Sequence, residues 1–274
     1  MPITSNNVHQ RVTLYLGDGQ KNMKLVENNL LSALASYVHR VGNSSKNIDN
    51  YPLVFADKAA LQSFLTLREI NTDASCDAEP VMTGDVGKDS ARRLLHVLRT
   101  VRAVTASDFT FSADQKIYIV GNGDVALNYI RVGDNIFTMQ DIAKTLSDIG
   151  VPKDIRDVRL ASGASADATE VPDIRAPDLA HHSFSVNETS FLMSLLPWGN
   201  KAIRKAPAQH LAEALTEHHF NKVTVTGYHG RGIYQDRVQV PHYHMRNTHV
   251  PTQEGFDPKA TVRRSTVAEK FTNA

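Results

Sequence analysis

Two short runs place small and polar residues where a buried strand would end. The first is Lys116-Ile117-Tyr118-Ile119-Val120-Gly121-Asn122-Gly123-Asp124, and the second is Val158-Arg159-Leu160-Ala161-Ser162-Gly163-Ala164-Ser165. In an α/β sheet the carboxyl ends of the strands are where ligands and reacting groups are presented. Ser162 and Ser165 could serve as nucleophiles if a base activated them, and His181 and His182 are the histidines nearest them in sequence. The competing reading is a tight loop in which small side chains serve packing. Asn122 offers an amide, which has no protonation equilibrium near neutral pH and cannot act as a base. Gly163 offers no side chain at all.

Other reactive residues are fewer. Cys76 is the single cysteine, so an internal disulfide and a multi-cysteine zinc site are both excluded. It stands in the polar run Asn71–Pro80 beside Asp73, Asp77 and Glu79, whose charges disfavour a thiolate, so alkylation is expected to leave function intact. His242-x-His244 on a strand would put two imidazoles on one face, with His229 and His249 nearby. No third ligand is identifiable from the sequence, so surface or interface histidines are the preferred reading and no metal is expected.

The formal net charge is +1, unevenly spread: from Lys201 onward there are 11 Lys and Arg against 6 Asp and Glu, and 7 of the 12 histidines. Lys222, Arg231, Arg237 and Arg246 fall at or after the last expected core strand. Arginine forks match phosphate geometry, and backbone N–H groups at Gly230 and Gly232 could add to a polyanion site. A solvated basic face accounts for the same charges. Arg92, Arg93, Arg99 and Arg102 have no interleaved aromatic residues, which argues against a nucleic-acid platform.

The elements that would position these residues follow from periodicity. Val12–Leu16 reads as a first strand, stopped by Gly17-Asp18-Gly19. Leu30, Leu31, Leu34, Val38 and Val41 recur at helical spacing until Gly42-Asn43-Ser44-Ser45. Leu53–Ala56 predicts a strand, and Asp57 a cap for the helix bearing Leu61, Phe64 and Leu65. A further helix carries Leu94, Leu95, Leu98 and Val101. After strand 117–120 comes a long turn, then Thr138-Met139-Gln140-Asp141, a capping-box pattern opening a helix with Ile142, Leu146 and Ile149. Strand 158–161, a polar loop to about Ser185, a helix opened by Pro207 and strand 223–227 complete the alternation. Such alternation predicts an α/β fold with a mostly parallel sheet covered by helices. Arg237–Val240 is a candidate outlying strand, and the region after Pro251 reads as a polar tail.

From about Lys116 to Gly230 the order of parts resembles caspase-type cysteine peptidases, in particular the cysteine-protease domain of RTX toxins and related bacterial effectors. In that family one strand ends in Gly-His-Gly and the next in Cys. Here the corresponding positions read Gly121-Asn122-Gly123 and Gly163. The resemblance spans less than half the chain and rests on order and spacing of short motifs. It implies a caspase-like core at 112–230, an N-terminal region 1–111 packed on the same core, and a C-terminal extension or β-flap at 231–274. It also implies a peptidase site degenerate at both dyad positions, leaving catalysis uncertain. The expected function is then that of a bacterial effector or toxin-associated protein that binds a protein partner. The alternatives are a hydrolase using Ser162 or Ser165, or a module responding to inositol hexakisphosphate at Lys222, Arg231, Arg237 and Arg246.

Composition fits that frame. At 274 residues, 41% hydrophobic and 22% charged, the chain can bury one substantial core. No apolar run is long enough for a membrane span. Met1–Asn7 lacks the basic and apolar regions of a cleaved signal peptide, so the expected secretion from a bacterium would not use one.

Overall fold

A computed structural model describes residues 11–18, 28–43, 48–71, 84, 86–186, 203–232, 245–247 and 261–272. Seven strands form one sheet: β1 (Arg11–Tyr15), β2 (Leu53–Phe55), β3 (Ala103–Thr105), β4 (Lys116–Ile119), β7 (Asp157–Leu160), β10 (Thr224–Tyr228) and β13 (Ala268–Phe271). Their order is β13-β10-β7-β4-β1-β2-β3. Every pairing is parallel except β10 with β13. The chain therefore winds outward from β1 to β3, then returns to the other side of β1 and winds outward again from β4. This is an α/β fold with a mostly parallel sheet, as the alternation of strand and helix patterns predicts.

Register explains why these strands read as apolar runs. Val12, Ile117, Val158 and Val225 align across β1, β4, β7 and β10, with Leu14, Ile119 and Leu160 one pleat further on, and all seven are fully buried. A central parallel sheet must be covered on both faces, because its crossover connections carry helices. On the face of Val225, α5 (Pro207–Glu217) brings Ala208 Cβ against Gly227, and α4 (Met139–Asp148) packs beside α5. On the other face, Phe64 of α2 (Lys58–Ile70) lies 5.3 Å from the ring of Phe55 in β2. The helices α1 (Asn28–Asn43) and α3 (Val86–Thr100) pack against each other.

Helix ends follow the expected chemistry. Asp57 accepts the Ala60 N–H at 2.9 Å, and Pro207 occupies the first turn of α5, where a missing N–H leaves no bond unmade. The Thr138 capping box is complete: its Oγ1 accepts the Asp141 N–H at 3.1 Å, while Asp141 Oδ2 accepts the Thr138 N–H at 2.9 Å. Bonds from the Thr138 hydroxyl, then from its backbone, hold the Asp141 carboxyl below its ordinary range. Thr138→Ala should cost about 1 kcal/mol in urea unfolding at pH 7. A depressed carboxyl contributes stability above its unfolded pKa, and the contribution is lost as pH falls through the folded value. The difference between wild type and Thr138→Ala should therefore shrink below about pH 4; a difference that grew in acid would refute this assignment.

Three features differ from expectation. The long turn before Thr138 contains a hairpin, β5 (Tyr129–Val132) with β6 (Asn135–Thr138), turning through Gly133 at φ 61 and Asp134. Gly-Asp between two short apolar runs is a hairpin signal that the turn reading passed over. The loop after β7 is folded rather than loose: Ala164, Ser165, Ala166, Asp167 and Ala168 are buried, and β8 (Phe184–Val186) pairs with β9 (Ile203–Lys205). The polar tail does not end on the surface, since β13 adds an antiparallel edge strand to β10. Ala268-Glu269-Lys270-Phe271 is an edge strand with one half-covered face, where alternating charge is normal and apolar runs are not needed. The candidate strand at 237–240 lies outside the described residues. Among the described residues no helix is long and apolar enough to cross a membrane.

Candidate functional site

The carboxyl ends of β4, β7 and β10 converge. Beyond β4, Asn122 exchanges backbone hydrogen bonds with Arg131, at 2.7 and 2.8 Å, which ties the β5–β6 hairpin to the strand end and leaves the Asn122 residue exposed. Beyond β7, Gly163 approaches so closely that an ideal Cβ on it would stand 3.2 Å from the Gly123 carbonyl oxygen and 3.7 Å from the Gly232 nitrogen. A Cβ on Gly123 would in turn meet Ser162 Oγ at 2.9 Å. The glycines are where three backbones meet, and a Cβ on either would be crowded. Asn122 and Gly163 are thus brought to neighbouring strand ends, and neither carries a nucleophile or a base.

Ser162 and Ser165 are both buried, with different surroundings. Ser162 Oγ has no hydrogen-bond partner among the described residues, and its carbonyl accepts from Arg246 Nη2 at 3.1 Å. Ser165 Oγ donates to the Leu160 carbonyl and accepts the Tyr228 N–H, each at 2.9 Å. Its carbonyl accepts the Ala208 N–H at 2.8 Å, so one residue joins β7, β10 and the first turn of α5. His182 Nδ1 lies 2.9 Å from Thr169 Oγ1, and His181 is exposed.

The basic residues divide. Lys222 precedes β10 and Arg231 follows it, so the length of the strand, ~17 Å, separates them, and the expectation that they share a patch does not hold. The cause is direction: a strand carries the residues that flank it to opposite ends of the sheet. Arg231 reaches Asp124 through Nε and Nη2 at 3.3 and 3.2 Å, and Glu170 through Nη2 at 2.8 Å. Two carboxylates already neutralise that guanidinium. Arg246, in β11 (Met245–Asn247), is buried under the strand ends; burial, then Arg264, pulls its pKa down to about 9. Arg237 lies outside the described residues, as do Cys76, His242, His244 and His249.

The face of the sheet opposite α5 carries a polar stack. Arg11 lies over the Tyr118 ring at 3.2 Å and Arg159 at 5.3 Å, while Arg264 lies 4.8 Å from the Tyr228 ring centroid. Arg159 is bound by Asp157 at 2.8 and 2.9 Å, and that bond raises its pKa. Charge on this face is held by rings and carboxylates, which keeps buried cations tolerable.

The acidic partners at these strand ends were not legible in the sequence. Asp167 receives His229 Nδ1 at 2.5 Å and the Gly230 N–H at 2.8 Å, joining the loops after β7 and β10. Both side chains are buried, at 1% and 2% exposure. An Asp in a run of small residues, and a His just beyond the last strand, were the available signals. Their pairing across a parallel sheet is not readable from spacing. Among the described residues no three His, Cys, Asp or Glu side chains are grouped to hold a metal ion.

Comparisons with protein-family models, with curated proteins and with solved structures give no match. The functional reading therefore rests on the strand-end geometry.

Proposed function

We propose that the chain is a non-catalytic binding protein built on a caspase-type plan, with its binding surface at the carboxyl ends of β4 and β7. The observation that supports this most is the contact between Gly163 and Gly123. With 3.2 Å between the Gly123 carbonyl and the position a Gly163 Cβ would take, even the first carbon of a cysteine side chain crowds the neighbouring strand end. Asn122 beside it supplies an amide suited to hydrogen bonding and unsuited to proton transfer. Strand ends in an α/β sheet recognise a ligand through backbone groups and a few fixed side chains. The partner class that fits is an extended peptide segment of another protein.

A hydrolase reading has one feature in its favour, the unpartnered Ser162 hydroxyl. Its burial and the engagement of His182 by Thr169 weigh against it. An inositol phosphate reading is weakened by the two carboxylates on Arg231, which occupy the fork a phosphate would need.

An array of extended peptides tests the binding surface. Asn122→Trp adds bulk at an exposed residue and should leave stability unchanged while reducing peptide binding at least tenfold. Equal reduction by Lys222→Glu, at the opposite end of the strands, would place binding elsewhere and sink the proposal.

A further inference from the structure

The space into which a side chain on Gly163 would project is filled by the chain's own backbone. Besides the Gly123 carbonyl, an ideal Cβ there meets the Gly232 nitrogen at 3.7 Å and Arg231 Cα at 3.9 Å. Both belong to the segment that follows β10, so this segment lies across the end of β7. Asn122, at the neighbouring end of β4, stays exposed. The strand ends are therefore covered on the β7 side and accessible on the β4 side.

The two ends of the covering segment are held differently. Gly230 is buried; its N–H donates to Asp167 Oδ2 at 2.8 Å and its carbonyl accepts the Ala164 N–H at 2.9 Å. Beyond it the hold is lighter. Gly232 makes an isolated bridge with Arg246, and the Arg231 guanidinium reaches Asp124, after β4, and Glu170, after β7. The side chains of that triad are 32%, 48% and 58% exposed. Ion pairs so open to water contribute little and are screened by salt. Gly230 has φ 75, which glycine adopts freely, and Gly232 flanks Arg231 on its other side. Arg231 thus stands between two residues at which the chain turns at little cost.

We propose that Arg231 is an autoinhibitory clasp: its ion pairs with Asp124 and Glu170 hold Arg231 and Gly232 over the end of β7, and a peptide gains that half of the surface only when they part. The inference rests on the reading of these strand ends as a binding surface. Gly230 stays anchored on Asp167 while the two residues beyond it lift, so opening breaks half-exposed ion pairs and one bridge and leaves the buried contacts of β10 intact. Breaking the clasp by mutation removes that cost before the peptide arrives and raises affinity.

The probe is an array of uncharged extended peptides with blocked termini, applied to the full chain, so that no peptide charge competes for the ion pairs. Arg231→Ala should bind the peptides captured by wild type at least about fivefold more tightly. Asp124→Asn combined with Glu170→Gln removes the other half of the clasp and should give the same gain. Wild-type affinity should rise as NaCl goes from about 0.05 to 1 M, and the rise should be smaller in either variant, where no pairs remain to be screened. A merely structural tie between loops predicts the other sign, with both variants less stable and their binding unchanged or weaker. That result, with wild-type binding still reduced by Asn122→Trp, would overturn the clasp and leave the binding surface standing. Capture of no peptide by wild type or by either variant would overturn both readings.

Discussion

Asp167→Ala is expected to destabilise the fold by about 3–5 kcal/mol, read as a loss in urea unfolding at pH 7. The carboxylate is 1% exposed and holds two groups from the loop after the neighbouring strand β10, His229 Nδ1 and the Gly230 N–H. Removing it strands both donors in an interior where water cannot replace the bonds. Asp167→Asn keeps the shape and one acceptor oxygen, so its cost should be smaller, about 1–2 kcal/mol. An alanine variant within experimental error of wild type would mean that the pairing carries no stability.

The second large effect lies at Gly227 in β10. An ideal Cβ there would stand 2.7 Å from the Ser165 carbonyl oxygen and 2.8 Å from Ala208 Cβ. These neighbours cannot yield cheaply, because Ser165 is bonded to β7, β10 and α5 at once and α5 lies against the sheet. Gly227→Val should therefore cost about 3 kcal/mol or more, at the high end for overpacking. Gly150→Ala provides the contrast. Its φ of 80 strains a side chain, yet a Cβ would meet nothing within 4 Å, so it should cost only about 1 kcal/mol. A Gly227→Val variant no less stable than Gly150→Ala would contradict the close packing of α5 on β10.

The central strands were legible because strands of a covered parallel sheet are rich in β-branched and aliphatic residues; Ile117–Val120 is a continuous apolar run, and in Val158–Leu160 and Val223–Val225 the alternate positions are apolar. Helix starts were legible because caps use few residue types, as at Asp57, Thr138 and Pro207. Edge and hairpin strands were not: β3 and β13 are short and half-covered, and Ala268–Phe271 alternates charge with partly buried positions. At the site, Asn122, Ser162 and Gly163 could be named because strand ends in an α/β sheet gather. Asp167 with His229, and Arg231 with Asp124 and Glu170, join segments far apart in the chain. Such pairings depend on sheet order and loop path, which local periodicity does not encode.

The ends of β4 and β7 are proposed to bind without hydrolysing. Incubating the full chain with a diverse peptide library and reading new termini by mass spectrometry tests this directly. The expected result is no cleavage above a buffer control, with Ser162→Ala indistinguishable from wild type. Cleavage that disappears in Ser162→Ala while the fold persists would show a working nucleophile at these strand ends and contradict the account.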